Sequence, residues 1–325
     1  MLRKAIALDA ASFTLHNSSG LCEDKSCQSK AGIGNQTIRQ YEARNEMIRK
    51  LVYGMKLVLG RNAPGNRLKI YEDDVFIVSY PKSGNTWTRF LIANLIYREK
   101  HPDFSNINEL IPDPEVLAKR ILDRLPRPRY IKSHQYFDPR YPRVVYIVRD
   151  PRDVVLSEYY FDIKRRAIAD DYPLHQFVSR FVRGEVNHSY GTWGENAATW
   201  FYARRSDPRF LLVRYEALQS RAMDELGRIA SFLGLSADRE QLSFTVEQSS
   251  ADRMRELEKK QAHLWSSTRE TRKDKPFVRS AKAGGWKTEL PEAGVAAIES
   301  AWGGLMREMG YELALLSSVH ADSEL

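Results

Sequence analysis

The sequence predicts a three-layer α/β fold with a central parallel sheet. Two short apolar runs, at residues 75–78 and 144–148, lack the polar–apolar alternation that marks half-exposed strands. We therefore expect helices to cover both faces of these strands. Helical patterns follow both runs, and strands that alternate with helices favour parallel pairing. A chain of 325 residues is long enough to bury a large core in one such domain.

The α/β domain is expected to span residues 67–315, followed by a short tail at 316–325. Residues 1–35 are rich in Ser, Gly and Asn after the first few positions, so we expect them to be disordered. Residues 36–66 are expected to form a helix and a turn-rich linker. The basic face of this helix could touch an anionic membrane, but an ordinary solvated face is the more common reason for such a pattern.

The first strand runs directly into the sequence Tyr80-Pro-Lys-Ser-Gly-Asn-Thr-Trp87, and a helical pattern begins at once. Gly84 lets the backbone pass close to a ligand. A helix N-terminus presents unpaired N–H groups and a partial positive charge, so this loop predicts a site for an anion such as phosphate. The alternative is a tight strand-to-helix connection that happens to contain Lys82. The loop is not a Walker A motif, because its lysine precedes the glycine.

The middle of the chain predicts two further strands and one long helix. Residues 101–128 are expected to form a loop with one short helix near Glu115 to Leu125, followed by a strand at 129–134. After the buried run at 144–148, Asp150 suits the N-cap position and Pro151 the first helical position. The helix that begins there is expected to reach about residue 165.

The last third of the chain predicts one strand and three helices. The strand covers residues 210–213, and helices follow at 221–233, where Gly234 ends the first of them, and at 237–247. Charged residues dominate positions 251–277, so we expect a mobile segment, whose part from residue 255 could close over a substrate as a lid. The last helix is expected at 292–309.

Four polar residues directly follow the carboxyl ends of the four predicted strands: Lys82, His134, Arg149 and Tyr215. In open parallel α/β sheets, ligands bind beyond the carboxyl ends of the strands. The sequence therefore predicts that these four side chains share one site.

Composition narrows the partners of this site. The 50 Lys and Arg residues outnumber the 42 Asp and Glu residues by 8, a balance that suits a polyanionic nucleotide, nucleic acid or an anionic membrane. No tract of basic residues and no nucleic-acid motif occurs, so nucleic acid is not expected. The two cysteines, Cys22 and Cys27, form neither a disulfide framework nor a four-ligand metal site, and we expect no metal. No apolar run is long enough to span a bilayer and no signal peptide is evident, so we expect a cytoplasmic protein.

The loop ending in Trp87 resembles the nucleotide-binding loop of the sulfotransferases that use 3′-phosphoadenosine-5′-phosphosulfate (PAPS), usually Tyr/Phe-Pro-Lys-Ser-Gly-Thr-Thr-Trp. Val148-Arg-Asp-Pro-Arg-Asp-Val-Val-Leu-Ser157 resembles their second motif, and Lys132-Ser-His134 resembles their Lys-Thr-His segment. Weaker matches are Tyr190-Gly-Thr-Trp193 and Ser249–Met254. Arg279-Ser-Ala-Lys-Ala-Gly-Gly-Trp-Lys287 resembles Arg-Lys-Gly-x-x-Gly-x-Trp-Lys. The matches run from about 72 to 312 in the family's order, which implies the P-loop-like nucleotide-binding sulfotransferase fold.

The resemblance implies transfer of a sulfuryl group from PAPS to an acceptor hydroxyl, with release of adenosine 3′,5′-bisphosphate. It implies that His134 is the catalytic base, that Lys82 supports the leaving 5′-phosphate and that Lys132 steadies the sulfuryl group or the acceptor. A histidine can accept the hydroxyl proton, and an arginine can bind phosphate through its planar fork. The residues expected to bind PAPS are Lys82, Ser83, Gly84, Asn85, Thr86, Trp87, Arg149, Ser157, Tyr215, Ser249, Arg279, Ser280 and Ala281.

Three positions depart from the family motifs. Asn85 replaces a threonine, and Ser280 and Ala281 replace a Lys-Gly pair. The family's dimer element is not found after Lys287, so the sequence does not predict the oligomeric state. The acceptor is expected to be a hydroxyl of a small molecule, carbohydrate or lipid. Two alternatives are a P-loop-like enzyme of the kinase type and a non-catalytic member that binds a nucleotide or a membrane.

Overall fold

The computed structural model of the protein describes residues 67–314. The predictions for residues 1–66, including the helix from residue 36 to 60, and for the tail at 316–325 lie outside the described residues. Among the residues described, no helix is both long and apolar enough to cross a bilayer.

Four parallel strands form the sheet of the described part of the chain. They are β1 (Val75–Ser79), β2 (Tyr130–Ser133), β3 (Arg143–Val148) and β4 (Phe210–Arg214), in the spatial order β2-β1-β3-β4. Since all neighbours pair in parallel, the four carboxyl ends meet at one edge. The chain leaves β1 for β2 on one side and then places β3 and β4 on the other. The crevice beyond β1 and β3 is therefore the topological switch point, where ligands bind in such sheets.

Helices surround this sheet. In chain order they are α1 (Asn85–Ile96), α2 (Ile107–Leu110), α3 (Lys119–Leu122), α4 (Pro151–Lys164), α5 (Leu174–Val182), α6 (Trp193–Arg204), α7 (Tyr215–Ser220), α8 (Ala222–Leu233), α9 (Arg239–Gln248), α10 (Ala251–Gln261), α11 (Trp286–Glu289) and α12 (Glu292–Glu308). Short 3₁₀ turns occur at Arg98–Lys100 and His188–Tyr190. As expected, the Asp150 side chain caps α4 by accepting a hydrogen bond from the Arg152 N–H, 2.9 Å away.

The core confirms the prediction of three layers. Alternate residues of β1 enter two separate clusters of buried side chains: Phe76 and Val78 belong to one, and Val75 and Ile77 to the other. All five residues of this strand are buried. A strand buried on both faces needs helices on both sides of its sheet, which explains why its sequence shows no alternation.

The prediction of a mobile segment at 251–277 was wrong for its first half. Residues 251–261 form α10, because Met254 and Leu257 lie one turn apart and are both buried. The sequence prediction also missed α5 and α6. The signal for α6 was present, since Thr192 and Glu195 form a capping box.

The chain after α10 is also tied to the domain. We call residues 262–285 the strap. The Lys164 ammonium at the end of α4 donates hydrogen bonds to the carbonyl oxygens of Arg272, at 2.9 Å, and Lys275, at 2.6 Å. The Glu258 carboxylate accepts hydrogen bonds from the N–H groups of Phe277, at 2.6 Å, and Val278, at 3.0 Å. The charge-rich strap is therefore fixed to the domain, because the buried side chains of Lys164 and Glu258 bind its backbone.

Candidate active site

The loop between β1 and α1 lies at the topological switch point. Its backbone takes left-handed conformations at Lys82, with φ of 62°, and at Gly84, with φ of 97°. A Cβ atom on Gly84 would lie 2.5 Å from the Tyr215 ring. Position 84 thus needs glycine both for its backbone conformation and for the close approach of Tyr215. Thr86 is half-buried in the first turn of α1.

The Lys82 ammonium lies against two aromatic rings. Its Nζ atom is 3.7 Å from the ring centroid of Phe161 on α4 and 4.6 Å from that of Phe277 on the strap. No ion pair of Lys82 occurs among the described residues. Burial lowers the pKa of this ammonium to about 8, and the Glu158 carboxylate only partly offsets the effect. Ring faces attract a cation but accept no strong hydrogen bond, so the ammonium can still bind an anion.

Two buried side chains of the same loop differ in what they can offer a ligand. The Ser83 hydroxyl has no hydrogen-bond partner in the described structure, although it is fully buried. The Asn85 amide nitrogen donates to the Ile77 carbonyl oxygen at 3.1 Å and lies 3.3 Å from the Ser79 hydroxyl. Since a carbonyl only accepts, the amide orientation is fixed and both donors face β1. Asn85 therefore supports the strand, while Ser83 has a hydroxyl free for phosphate.

His134 follows β2 and faces the end of β1. Its Nδ1 atom lies 2.7 Å from the Ser79 carbonyl oxygen. A carbonyl oxygen can only accept a hydrogen bond, so Nδ1 carries the proton and Nε2 keeps its lone pair. Asn196 on α6 donates to the His134 carbonyl oxygen at 3.0 Å. Burial, and next the charge of Lys132, lower the pKa of His134 well below its ordinary value, so the imidazole is neutral.

Lys132 projects from β2 beside this histidine. Its Nζ atom lies 2.7 Å from a carboxylate oxygen of Asp113, and both side chains are largely buried. Burial raises the pKa of Asp113, but the charges of Lys132 and Arg89 outweigh burial and keep the net shift downward. Asp113 is therefore an anion that holds Lys132 in place.

Arg149, at the end of β3, connects the first loop to the strap. Its guanidinium donates to the carbonyl oxygens of Lys82, at 3.3 Å, and Lys282, at 3.1 Å. It also stacks 4.4 Å above the Tyr215 ring. Its Nε atom is buried without a partner in the described part of the protein. A phosphate beside Arg149 would therefore find this N–H unused. Ser157, two turns into α4, is half-buried.

The Arg279–Lys287 motif is held by two side chains from other elements. The Asp153 carboxylate accepts hydrogen bonds from the N–H groups of Gly284, at 2.7 Å, and Trp286, at 3.0 Å. The Gln219 amide binds the Ala281 carbonyl oxygen and the Ala283 N–H. Both contacts fix the backbone at the end of the strap beside Arg149.

Arg279, Ser280 and Ala281, which are predicted to bind PAPS, differ in the contacts that they already make. The Arg279 guanidinium already pairs with Glu289 at 3.0 Å and stacks 4.1 Å from the Tyr160 ring. The Ser280 carbonyl oxygen accepts from Arg255 at 3.3 Å. Ala281 has a positive φ of 51°, a conformation that glycine adopts at lower cost. Glycine at position 281 would fit this backbone without strain.

Trp87 and Tyr215 form an aromatic wall on the other side of the loop. Their ring centroids are 5.6 Å apart at an interplanar angle of 71°. The Trp87 indole N–H donates to the Ser249 carbonyl oxygen at 2.8 Å, and Asn94 donates to the Ser249 hydroxyl at 3.1 Å. Ser249 is fully buried, and its carbonyl oxygen holds Trp87 in position. Its hydroxyl accepts from Asn94, and its role in donor binding stays a prediction.

The structure thus brings Lys82, Ser83, His134, Lys132 and Arg149 to one edge of the sheet. Sequence reasoning missed Asp113, Gln219 and Glu158. Asp113 and Gln219 act through contacts with residues 19 and more positions away, which no local pattern reveals. Glu158 did carry a signal, because Val154, Val155 and Phe161, its neighbours one turn away on α4, are apolar.

Comparison with known proteins agrees with this geometry. Residues 72–310 match the family model described as the sulfotransferase domain. The chain belongs to the sulfotransferase family. It is similar to Sulfotransferase 2B1 of Mus musculus, with 30% identity over 249 residues, covering 73% of this chain and 72% of that protein. Sulfotransferase 2B1 of Homo sapiens is 30% identical over 256 residues, covering 75% and 69%.

Two solved structures share the fold of this sulfotransferase. Mouse sulfotransferase SULT7A1 complexed with PAP has a TM-score of 0.62 and 21% identity, covering 80% of this chain and 92% of that one. Retinol dehydratase in complex with androsterone and inactive cofactor PAP has a TM-score of 0.61 and 19% identity, covering 77% and 85%. The predicted family and fold are therefore confirmed, and the kinase-type alternative is not favoured.

Proposed function

We propose that this sulfotransferase transfers a sulfuryl group from PAPS to an acceptor hydroxyl and releases adenosine 3′,5′-bisphosphate. The observation that carries the proposal is the hydrogen bond from His134 Nδ1 to Ser79, because it leaves Nε2 free as a base. The unpaired Lys82 ammonium lies at the same edge of the sheet. The PAP complexes of two proteins that share the fold support the choice of donor.

The donor would bind through groups that have unused hydrogen-bonding capacity. Lys82 and the Ser83 hydroxyl would hold the 5′-phosphosulfate at the N-terminus of α1. The Arg149 Nε–H and the Ser157 hydroxyl would hold the 3′-phosphate. The Trp87 ring, with Tyr215 packed edge-to-face against it, offers an aromatic face for the adenine ring.

The transfer would need no covalent enzyme intermediate. His134 Nε2 takes the proton of the acceptor hydroxyl as its oxygen bonds to sulfur, and the bond from sulfur to the 5′-phosphate oxygen breaks. Lys82 would offset the negative charge that grows on this departing oxygen, and Lys132, held by Asp113, would steady the sulfuryl group or the acceptor. The bound product then carries both electrons of the broken bond on its 5′-phosphate.

The proposal names the acceptor only by chemical class. The acceptor is a hydroxyl of a small molecule, lipid or carbohydrate, and Phe161 supplies an apolar surface beside Lys82. Metal-independent chemistry, a cytoplasmic location and the absence of a nucleic-acid partner stay predictions, and membrane contact through residues 36–60 stays the less favoured alternative to a solvated helix face.

A thermal-shift titration tests the donor. Saturation at about 100 times the Kd of adenosine 3′,5′-bisphosphate should add roughly 2.7 kcal/mol to the free energy of unfolding. ATP with magnesium is the control and should add much less. Turnover of labelled PAPS with an acceptor library then separates an enzyme from a nucleotide-binding protein without activity. Failure to bind adenosine 3′,5′-bisphosphate would overturn the proposal.

A further inference from the structure

Glu158 on α4 is a buried carboxyl group beside the proposed donor site. Its side chain is only 2% exposed, and its Oε2 atom has no hydrogen-bond partner within the described residues. It directly follows Ser157 in the sequence. The charged and polar groups that act on it are Lys82 from the loop after β1, Asp162 and Arg165 from its own helix and helix end, Asn187 from the loop after α5, and Tyr80 from the end of β1.

Lys82 is the cation that acts most strongly on this carboxyl group, and Glu158 in turn is the strongest charge acting on Lys82. Among residues 67–314, the Lys82 ammonium lies against the rings of Phe161 and Phe277 and forms no ion pair. A buried charge without hydrogen bonds is costly and needs a partner charge nearby. The two groups therefore depend on each other, although they form no close ion pair.

We propose that Glu158 is a positioning residue for Lys82. In the free protein its carboxylate balances the charge of the Lys82 ammonium. When the anionic donor binds, the donor balances that charge instead, and Glu158 takes up a proton. The inference rests on the proposed function of the donor site. Phe161 lies one turn after Glu158 on α4, and its ring centroid is 3.7 Å from the Lys82 Nζ atom, so the side of the helix that carries Glu158 faces the Lys82 loop.

The direction of the proton transfer follows from charge. Burial raises the pKa of Glu158 to about 7, so at pH 8 the group is mostly ionised. Donor phosphates would draw the Lys82 ammonium toward themselves and would repel the carboxylate. Both effects raise the pKa of Glu158 further, and a proton therefore moves from solvent to the carboxylate on binding.

Calorimetry tests this with adenosine 3′,5′-bisphosphate as the probe. Binding enthalpies measured at pH 8 in HEPES and in Tris, which differ in ionisation enthalpy, give the number of protons taken up. At this pH the phosphates of the nucleotide are already ionised. Lys82→Arg keeps the positive charge at every pH, so uptake in this variant reports on Glu158. We expect uptake of about half to one proton in Lys82→Arg, and almost none in Lys82→Arg/Glu158→Gln.

A measurement on the unaltered protein accompanies the variants. Its affinity for the nucleotide should fall as pH rises from 7 to 9, by up to about tenfold per pH unit for one linked proton. Glu256→Gln, at an exposed acidic residue of α10, is the matched control and should leave proton uptake unchanged.

Tight nucleotide binding without proton uptake in the unaltered protein would overturn the inference and leave the proposed function standing. Equal uptake in Lys82→Arg and in the double variant would also overturn it. Absence of nucleotide binding in the unaltered protein would overturn both.

Discussion

The Nδ1 atom of His134 lies 2.7 Å from the carbonyl oxygen of Ser79, and this contact orients the imidazole ring. Ser79 ends β1, and His134 follows β2, its neighbour in the sheet. The parallel register of these two strands thus fixes both the tautomer and the direction of the imidazole. The same strand end leads into the Lys82 loop, so His134 and Lys82 are both positioned by the end of β1.

Replacement of His134 by alanine should abolish transfer and leave donor binding intact. The side chain supplies the proton acceptor, and general-base catalysis contributes about 10²–10⁴-fold to a rate. We expect kcat with labelled PAPS to fall by at least about 100-fold. The thermal shift with adenosine 3′,5′-bisphosphate should stay close to that of the unaltered protein. Turnover within a few fold of normal would contradict the role of His134.

The turnover rate should be insensitive to pH on the acid side of neutrality. Burial and then the charge of Lys132 lower the pKa of His134, and the base form of a histidine is the neutral one. A lowered pKa keeps this form populated as pH falls, so kcat at saturating donor and acceptor should stay flat from about pH 8 to pH 6. A halving of kcat near pH 6.5, the ordinary histidine value, would contradict this environment.

Substitution of Gly84 by alanine should destabilise the protein more than the same change at Gly234. Both glycines have positive φ, 97° and 74°, but a Cβ at Gly84 meets the Tyr215 ring at 2.5 Å while one at Gly234 meets nothing within 4 Å. Gly234→Ala should cost about 1 kcal/mol from backbone strain. Gly84→Ala should cost about 2 kcal/mol more from the clash, measured by denaturant unfolding.

A double variant separates the backbone strain at Gly84 from the clash with the Tyr215 ring. If Gly84→Ala/Tyr215→Leu regains part of the lost free energy of unfolding, the ring contact is responsible. Equal losses in Gly84→Ala and Gly234→Ala would mean that Tyr215 gives way without cost. Donor affinity should fall in Gly84→Ala alone, because only that loop belongs to the proposed site.

Sequence alone predicted the features of this fold that are local. Two apolar runs predicted β1 and β3, and shorter segments at 129–134 and 210–213 predicted β2 and β4. The residues near the carboxyl ends of these strands, such as Lys82 and Arg149, predicted where the candidate site lies. Contacts between distant parts of the chain could not be predicted. Phe277 packs on Lys82 across 195 positions, and Lys164 binds the strap through backbone carbonyls. A lysine that binds carbonyl groups has no sequence signature, and residues 251–277, which include most of the strap, were expected to be mobile because charged side chains dominate them.

Ala281→Gly should stabilise the protein. Ala281 has a φ of 51°, and a left-handed conformation costs a residue with a Cβ about 1–2 kcal/mol. Glycine removes this strain but loses about 0.5–1 kcal/mol through its flexibility when unfolded, so a net gain of about 0.5 kcal/mol is expected. Ala283→Gly, two residues along the same strap and not among the positive-φ residues, is the control and should destabilise. A loss of stability in Ala281→Gly would contradict the strain.

Lys164→Met should release the strap. The variant removes the donor to the carbonyl oxygens of Arg272 and Lys275, and it also removes the cation 3.5 Å from Glu258, a buried carboxylate. Breaking a buried pair from one side costs about 3 kcal/mol. We therefore expect a matching loss in the free energy of unfolding and faster tryptic cleavage within the strap. Lys164→Met/Glu258→Gln should regain part of the loss, because no unpaired charge remains.

Lys287→Met, at an exposed lysine, is the control for the loss of one positive charge. Nucleotide affinity should fall in Lys164→Met, since the strap carries the carbonyl of Lys282 to Arg149; unchanged cleavage together with unchanged affinity would show that other contacts hold the strap.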